Sequence, residues 1–242
     1  MGKPALSVVV PVFNEEDNVA PLVAEIVAAL RGRVGFEIVY VDDDSKDGTL
    51  ARLRALKAEV PELRVIHHQR QSGQSTAIRN GVKAARGEWI ATLDGDGQND
   101  PADIPKLLAE RDQPGNAGIK LFAGWRVQRM DSGSKRWASK LANAIRSRML
   151  RDATPDTGCG IKLFEREAFL ELPHFNHMHR YLPALMQRAG FRSVSVPVGH
   201  RHRSTGVSKY NNLNRALVGI SDLRGVAWLI RRGKVTPVQE LD

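Results

Sequence analysis

The sequence predicts an α/β fold, a mostly parallel central sheet flanked by helices. Three observations carry it: β-branched apolar runs recur through the first half, helical stretches of ten or more residues separate them, and polar clusters fall where the runs end. Strands joined by helical crossovers pair in parallel, and a sheet covered on both faces reads as near-continuous apolar runs.

Taken in order, Ser7–Phe13 (SVVVPVF) is the first strand. The helix expected over Asn18–Leu30 places Pro21 in its first turn, where a missing N–H is tolerated. Phe36–Asp43 (FEIVYVDD) is the second strand, closed by the turn cluster Ser45-Lys46-Asp47-Gly48, where Asp44 or Ser45 can cap the next helix. Leu50–Val60 is that helix and Arg64–His68 a short strand. Ser75–Arg86 is helical and Glu88–Leu93 extended. Pro101–Arg111 starts a helix with proline in its first turn, and Leu121–Trp125 is a further strand.

The second half is less regular and more basic. Eight arginines and lysines lie between Arg126 and Arg151, with Trp137, Leu141, Ile145 and Met149 at four-residue spacing, the pattern of a cationic amphipathic helix. Asp156–Phe164 (DTGCGIKLF) reads as a glycine-rich turn entering a strand, Ser193–Val198 as a strand and Leu213–Ile230 as a last helix. No repeat or linker divides the chain. One domain is expected over residues 1–211, with a basic, amphipathic helical extension over 212–242.

With 42% hydrophobic residues among 242, the chain can bury a core, which excludes global disorder. The net charge of +9 and pI of about 10.0 point to an anionic partner: nucleic acid, a phosphate-bearing substrate or an acidic membrane surface. Cys159 is the single cysteine, which rules out an internal disulfide and fits a reducing compartment. The N-terminus (MGKPALSVVVPVF) lacks the longer apolar region of a signal peptide, and no stretch reaches the ~18–20 apolar residues of a membrane span. A cytoplasmic protein, soluble or peripheral, is expected.

In open α/β sheets, ligands bind beyond the carboxyl ends of the strands. Asn14-Glu15, Asp42–Asp44 and Asp94–Gln98 follow the first, second and fourth strands, so three acidic clusters converge on one edge. In "LDGDGQND" the carboxylates of Asp94 and Asp96 fall on the same side of an extended segment and repel unless a cation or proton lies between them. Gln98 adds a third oxygen. Mg²⁺ or Mn²⁺ is the expected occupant, since hard cations use one or two carboxylates together with substrate phosphates. Among Asp42, Asp43 and Asp44, one acid can cap a helix while another accepts hydrogen bonds from a nucleobase or ribose.

Other chemistries fit less well. The run GDGQND lacks the third glycine of the dinucleotide fingerprint and follows the fourth strand rather than the first; no Walker-type loop is present. An aspartyl-phosphate phosphatase could also place two aspartates after a strand, but nothing else supports one. His174, His177 and His179 have no second ligand cluster for zinc and read as a polar loop beside the acceptor site. The basic stretches Arg126–Arg151 and Arg201–Lys209 suit diphosphate and phosphate. A nucleic-acid partner is not expected, given 6% aromatics and no reader motif.

Five stretches in order, "VVVPVFNEEDNV", "EIVYVDDDSKDGT", "GQSTAIRNGVKAARGEWIATLDGDGQNDP", "DTGCGIKLF" and "RSTGVSKY", give the sequence its likeness. It resembles the family-two glycosyltransferases of the GT-A fold, in the branch of dolichol-phosphate mannose synthases and bacterial polyprenyl-phosphate sugar transferases. The resemblance implies that Pro11, Phe13 and Glu15 contact the nucleotide, with Phe13 where the branch often has tyrosine, and that Val41 and Asp43 hold base and ribose. Asp94, Asp96 and Gln98 match the metal-binding D-x-D and its glutamine, Asp94 also touching the nucleotide. Arg126 matches a basic residue near the donor diphosphate or acceptor phosphate, Lys135, Arg136 and Ser139 the acceptor-phosphate segment, and Arg203 and Lys209 a late basic motif closing over the diphosphate.

The implied reaction is an inverting, metal-dependent transfer of a sugar from a UDP- or GDP-linked donor to a polyprenyl phosphate, in cell-envelope biogenesis. Asp96 and Arg126 would serve catalysis by neutralising the departing diphosphate. An acceptor phosphate is already anionic and needs no base; a saccharide or lipid hydroxyl would, and Asp156 is then the candidate. A reading of another class is a non-catalytic basic protein that keeps the fold and binds nucleic acid or membrane. Many relatives carry C-terminal transmembrane helices, whereas this chain ends soon after "GVAWLIRRGKVTPVQELD". Access to lipid is therefore expected from a partner subunit, or from an anionic membrane surface on the cytoplasmic face meeting Arg224, Arg231 and Arg232. Packing of this helix on the sheet, or on a second copy in a homo-oligomer, is the alternative.

Overall fold

The computed structural model of the chain describes residues 2–127, 146–152, 154–199, 201 and 212–236. Its centre is β1 (Leu6–Val12), buried at every position. Val8, Val10 and Val12 join one apolar cluster and Val9 another, so the unbroken apolar run reflects helices on both faces. Around it lie β2 (Phe36–Asp42), β3 (Leu63–His67), β4 (Trp89–Thr92), β5 (Ile119–Arg126), β6 (Lys162–Glu165) and β7 (Arg192–Val198), in the order β3-β2-β1-β4-β6-β5-β7. Pairing is parallel except for β6, which runs antiparallel to β4 and β5.

One face carries α1 (Glu16–Leu30), α2 (Thr49–Glu59) and α4 (Ile104–Arg111), whose Val19, Leu22, Ile26, Leu53 and Leu107 pack on Val8 and Val10. The other carries α3 (Gln74–Ala84), α5 (Arg166–Leu170), α6 (Leu182–Arg188) and α7 (Asn212–Arg232), with Ile78, Val82, Phe169, Leu185 and Val226 in its core.

Two local expectations are corrected. The first helix begins at Glu16, so Pro21 lies in its second turn. Glu16 and Asp17 favour the earlier start, because acidic side chains complement the positive end of the helix dipole. The second helix is capped by neither Asp44 nor Ser45. It begins at Thr49, whose N–H and hydroxyl both donate to Asp47 Oδ1, while Ser45 Oγ accepts the Asn14 N–H.

The basic helix expected between Arg126 and Arg151 falls mostly outside the described residues. At its end, residues 146–150 are helical, and Arg146 is buried against Asp152 rather than solvated. The last helix packs on the domain through Val226 and Ala227 and through Arg188 Nε, which donates to the Leu229 carbonyl at 2.9 Å. Its outer side exposes Ile220 and Trp228 beside Arg224, Arg231 and Arg232. Among the described residues, no helix is long and apolar enough to cross a membrane.

Candidate active site

A cleft of about 440 Å³ opens at the carboxyl ends of β1, β2 and β4, the edge on which the acidic clusters were expected to converge. Pro11, Phe13 and Glu15 leave β1 to form one wall. Glu15 is fixed by contacts to two helices: its N–H donates to Thr49 Oγ1 of α2, and its carboxylate accepts from Asn18 Nδ2 of α1, at 2.9 and 2.7 Å.

The three consecutive aspartates have separate tasks. Asp42 is fully buried and meets His67 Nδ1 at 2.8 Å, and Asp44 pairs with Lys46 at 2.7 Å. Asp43 organises the neighbouring loop: its carboxylate accepts the N–H groups of Ser72 and Gly73 at 2.8 Å each and meets His68 Nδ1 at 2.7 Å. It also lines the cleft. Val41 does not. Alternation along β2 turns it, with Val39, into the core against Gly81 of α3.

Asp94, Asp96 and Gln98 come together in the cleft as the sequence predicts. Asp94 is held from three sides. Gln74, first residue of α3, donates from Nε2 to Asp94 Oδ1 at 2.8 Å; Asn99 Oδ1 accepts the Asp94 N–H at 3.0 Å; and Gly160 faces the carboxylate with no side chain, where a Cβ would overlap it. Asp96 Oδ1 accepts the Gln98 N–H at 3.2 Å in a turn that uses Gly97 at φ +73.

Burial pushes the Asp94 carboxyl up, and the charge of Asp96 adds to this, while Lys162, Gln74 and Arg126 oppose it. A divalent cation would relieve that repulsion, and the oxygen-only donor set suits Mg²⁺ or Mn²⁺. Among the described residues no group of three or more His, Cys, Asp or Glu side chains is arranged to hold a metal ion.

The opposite side is basic. Arg126, at the end of β5, forms a fork with Asp156: Nε to Oδ2 at 2.7 Å and Nη2 to Oδ1 at 2.9 Å. Gly158 N–H and Arg126 N–H also donate to this carboxylate, at 3.2 and 3.3 Å. Asp156 therefore holds Arg126. Lys162 donates to the Cys159 carbonyl, and burial pushes its ammonium pKa down against the raising influence of Cys159, Asp94 and Asp156.

Lys135, Arg136, Ser139, Arg203 and Lys209 lie outside the described residues. Sequence reasoning missed Gln74, Asn99, Lys162 and Arg180 and gave His179 no partner. Gln74, Lys162, His179 and Arg180 line the cleft. His179 Nδ1 meets Ser75 Oγ at 2.7 Å and His177 Nδ1 meets Asp222 at 2.8 Å, so two members of the histidine run fasten a loop.

Known structures share this architecture. A mannosyltransferase from Pyrobaculum calidifontis in complex with GDP-Man and Mn²⁺ superposes with a TM-score of 0.71 at 21% identity, covering 98% of this chain and 67% of that one. Glucosyl-3-phosphoglycerate synthase from Mycobacterium tuberculosis, in complex with Mg²⁺ and UDP, gives 0.70 at 19% identity over 92% and 80% of the two chains. These neighbours are glycosyltransferases of the GT-A fold, and the sheet order and the cleft at its carboxyl edge give this chain the same fold.

The chain belongs to glycosyl transferase family 2, whose profile matches residues 7–172. It is 36% identical over 231 residues to dodecaprenyl-phosphate galacturonate synthase of Rhizobium johnstonii, covering 93% of this chain and 67% of the relative. It is 34% identical over 208 residues to undecaprenyl-phosphate 4-deoxy-4-formamido-L-arabinose transferase of Edwardsiella ictaluri, covering 85% of this chain and 62% of the relative.

Proposed function

We propose that this glycosyltransferase moves a sugar from a UDP- or GDP-linked donor to a polyprenyl phosphate, with inversion, using Mg²⁺ or Mn²⁺ at Asp94, Asp96 and Gln98. The observation that carries the reading is the mutually repelling Asp94–Asp96 pair, recessed in a cleft lined by Lys162, with Arg126 just behind the lining at Gly158. The metal supplies charge neutralisation for the leaving diphosphate. The chain's own residues do the rest. Pro11, Phe13 and Glu15 bound the nucleotide, Asp43 fixes the loop beside the base, and Arg126, with Arg203 and Lys209, offers cations to the phosphates.

The choice of acceptor has two supports. Both named relatives act on a polyprenyl phosphate. The Asp156 carboxylate, the candidate base for a hydroxyl, is occupied by the Arg126 fork and the Gly158 amide. A phosphate acceptor needs no base, and Lys135, Arg136 and Ser139 are assigned to it. In this reading residues 1–211 carry the chemistry. Residues 212–242 form the extension, whose Ile220, Arg224, Trp228, Arg231 and Arg232 side meets an anionic membrane at its cytoplasmic face.

The test is a transfer assay with a panel of UDP- and GDP-sugars and short polyprenyl phosphates in anionic vesicles, with and without chelator. Product on the phosphate, abolished by chelator and by Asp96→Ala, is expected. Undiminished transfer with chelator present, or product formed only on hydroxyl acceptors, would overturn the reading.

A further inference from the structure

Among the described residues, two cationic groups at the cleft already have protein partners. Arg126 gives Nε and Nη2 to Asp156 and has only its remaining donors for a substrate phosphate, and Lys162 donates to the Cys159 carbonyl. Arg180 differs. It is half-buried, its residue lines the cleft, and its guanidinium has no hydrogen bond or ion pair among the described residues. A half-buried guanidinium with unused donors favours a planar oxyanion, because its fork matches carboxylate or phosphate oxygens.

The loop that carries Arg180 is fixed at both flanks. His179 meets Ser75 Oγ through Nδ1 at 2.7 Å, and its backbone N–H points to the same oxygen at 3.5 Å. Ser75 follows Gln74, the residue whose amide holds Asp94, so the contact docks the loop beside the paired carboxylates. His177 meets Asp222 of α7 at 2.8 Å, and the Tyr181 hydroxyl donates to the Gly219 carbonyl at 3.4 Å. Burial, with smaller contributions from Lys162, Arg180 and His177, holds His179 neutral, its pKa lowered to about 3. His179 thus adds no positive charge of its own near neutral pH, and Arg180 remains the open cation of this loop. Preorganised side chains lose less entropy on binding, which makes a loop of this kind suited to selecting a ligand.

We propose that Arg180 is a specificity residue of the cleft that takes an anionic oxygen group of a substrate, either a carboxylate on the transferred sugar or the phosphate of the acceptor. The proposal rests on the transferase reading above. It goes further by giving one substrate group a partner that neither the D-x-D segment nor the Arg126 fork supplies.

The experiment compares wild type, Arg180→Met and Arg180→Lys, with thermal melting as a check of folding. Calorimetric binding in Mn²⁺ uses UDP, a UDP-hexose and a UDP-uronic acid, and steady-state kinetics varies the polyprenyl phosphate. Loss of an ionic hydrogen-bonded fork corresponds to a weakening of roughly 10- to 100-fold. If the anion is the sugar carboxylate, R180M weakens UDP-uronic acid by that factor and leaves UDP and the UDP-hexose unchanged. If it is the acceptor phosphate, donor binding is unchanged and the acceptor KM rises by the same factor with every donor. In either case R180K, which keeps charge but not the fork, recovers part of the loss. Wild-type-like donor binding and acceptor KM in folded R180M would overturn the proposal while leaving the transferase reading intact. Wild-type protein that binds no UDP or GDP ligand with Mn²⁺ would overturn both.

Discussion

Asp156→Asn distinguishes a positioning carboxylate from a catalytic base. The Asp156 side chain is 4% exposed and that of Arg126 14%, so the pair is largely removed from water. The carboxylate accepts from Arg126 Nε, Nη2 and N and from Gly158 N. Asparagine keeps one oxygen but turns an NH₂ toward these donors and leaves the guanidinium without its counter-charge. Removing one partner of a buried pair costs about 3–5 kcal/mol. The retained oxygen recovers about 1 kcal/mol, so a loss near 3 kcal/mol is expected. At about 2–4 °C per kcal/mol for a domain of this size, melting falls by about 6–12 °C. Urea and thermal unfolding of wild type, D156N, R126M and the double variant measure this directly. The double variant should be little worse than either single one, giving a coupling of about 2 kcal/mol or more. In transfer assays D156N should raise the donor KM and keep the shape of the pH–rate profile, whereas loss of a base would remove its acid limb. Melting within about 1 °C of wild type, with additive effects of the two substitutions, would refute the assignment of Asp156 to Arg126.

Two further outcomes follow from the same geometry. Gly160→Ala places a methyl group over the Asp94 carboxylate and 2.5 Å from Asn99 Oδ1, so Asp94, a proposed metal ligand, must shift. Mn²⁺ affinity measured by calorimetry should fall by about tenfold, with a stability loss of about 1–3 kcal/mol; unchanged affinity would show that Asp94 does not depend on this close approach. His179 has its pKa held at about 3 against an ordinary 6.5, first by burial. Between those values the unfolded chain binds a proton that the folded chain refuses. Stability is therefore full above pH 6.5 and falls as pH drops through the interval, by up to about 1.4 kcal/mol per unit. Urea unfolding of His179→Asn between pH 4.5 and 7.5 should lack this component; an unchanged slope would place the acid sensitivity elsewhere.

The strands and helices of the first half were legible because each is an apolar run with one dominant period. Val8, Val9 and Val10 face alternate sides, and the run is continuous only because both sides are covered. The acidic half of the site was legible for a related reason: Glu15, Asp43 and Asp94 each lie within three residues of the carboxyl end of a strand of the parallel sheet. Val41 was the exception there, a side chain one pleat away from the cleft. Lys162, Gln74 and Arg180 were not legible. Each reaches the cleft through a contact between distant segments, as when Ser75 meets His179 across 104 positions, and no local spacing encodes it. The fork between Arg126 and Asp156 was half-visible, since both residues were named but as separate actors.

The reversed strand explains why acid and base meet at this edge. Strand β5 runs parallel to β7 and antiparallel to β6, and therefore in the direction of β4, so its carboxyl end delivers Arg126 to the cleft side. The chain then has to re-enter between β4 and β5. A parallel β6 would put Lys162 at the opposite pole, near buried Glu37, and only its last residue, Glu165, at the cleft. Antiparallel entry pairs Lys162 with Thr92 and Glu165 with Trp89 instead. The segment before β6 then crosses the cleft edge, where Asp156 meets Arg126 and Gly160 meets Asp94. With β6 reversed, carboxylates from the first half and cations from the second face one another across a single cleft. That juxtaposition is what a metal–diphosphate group and a second anion require.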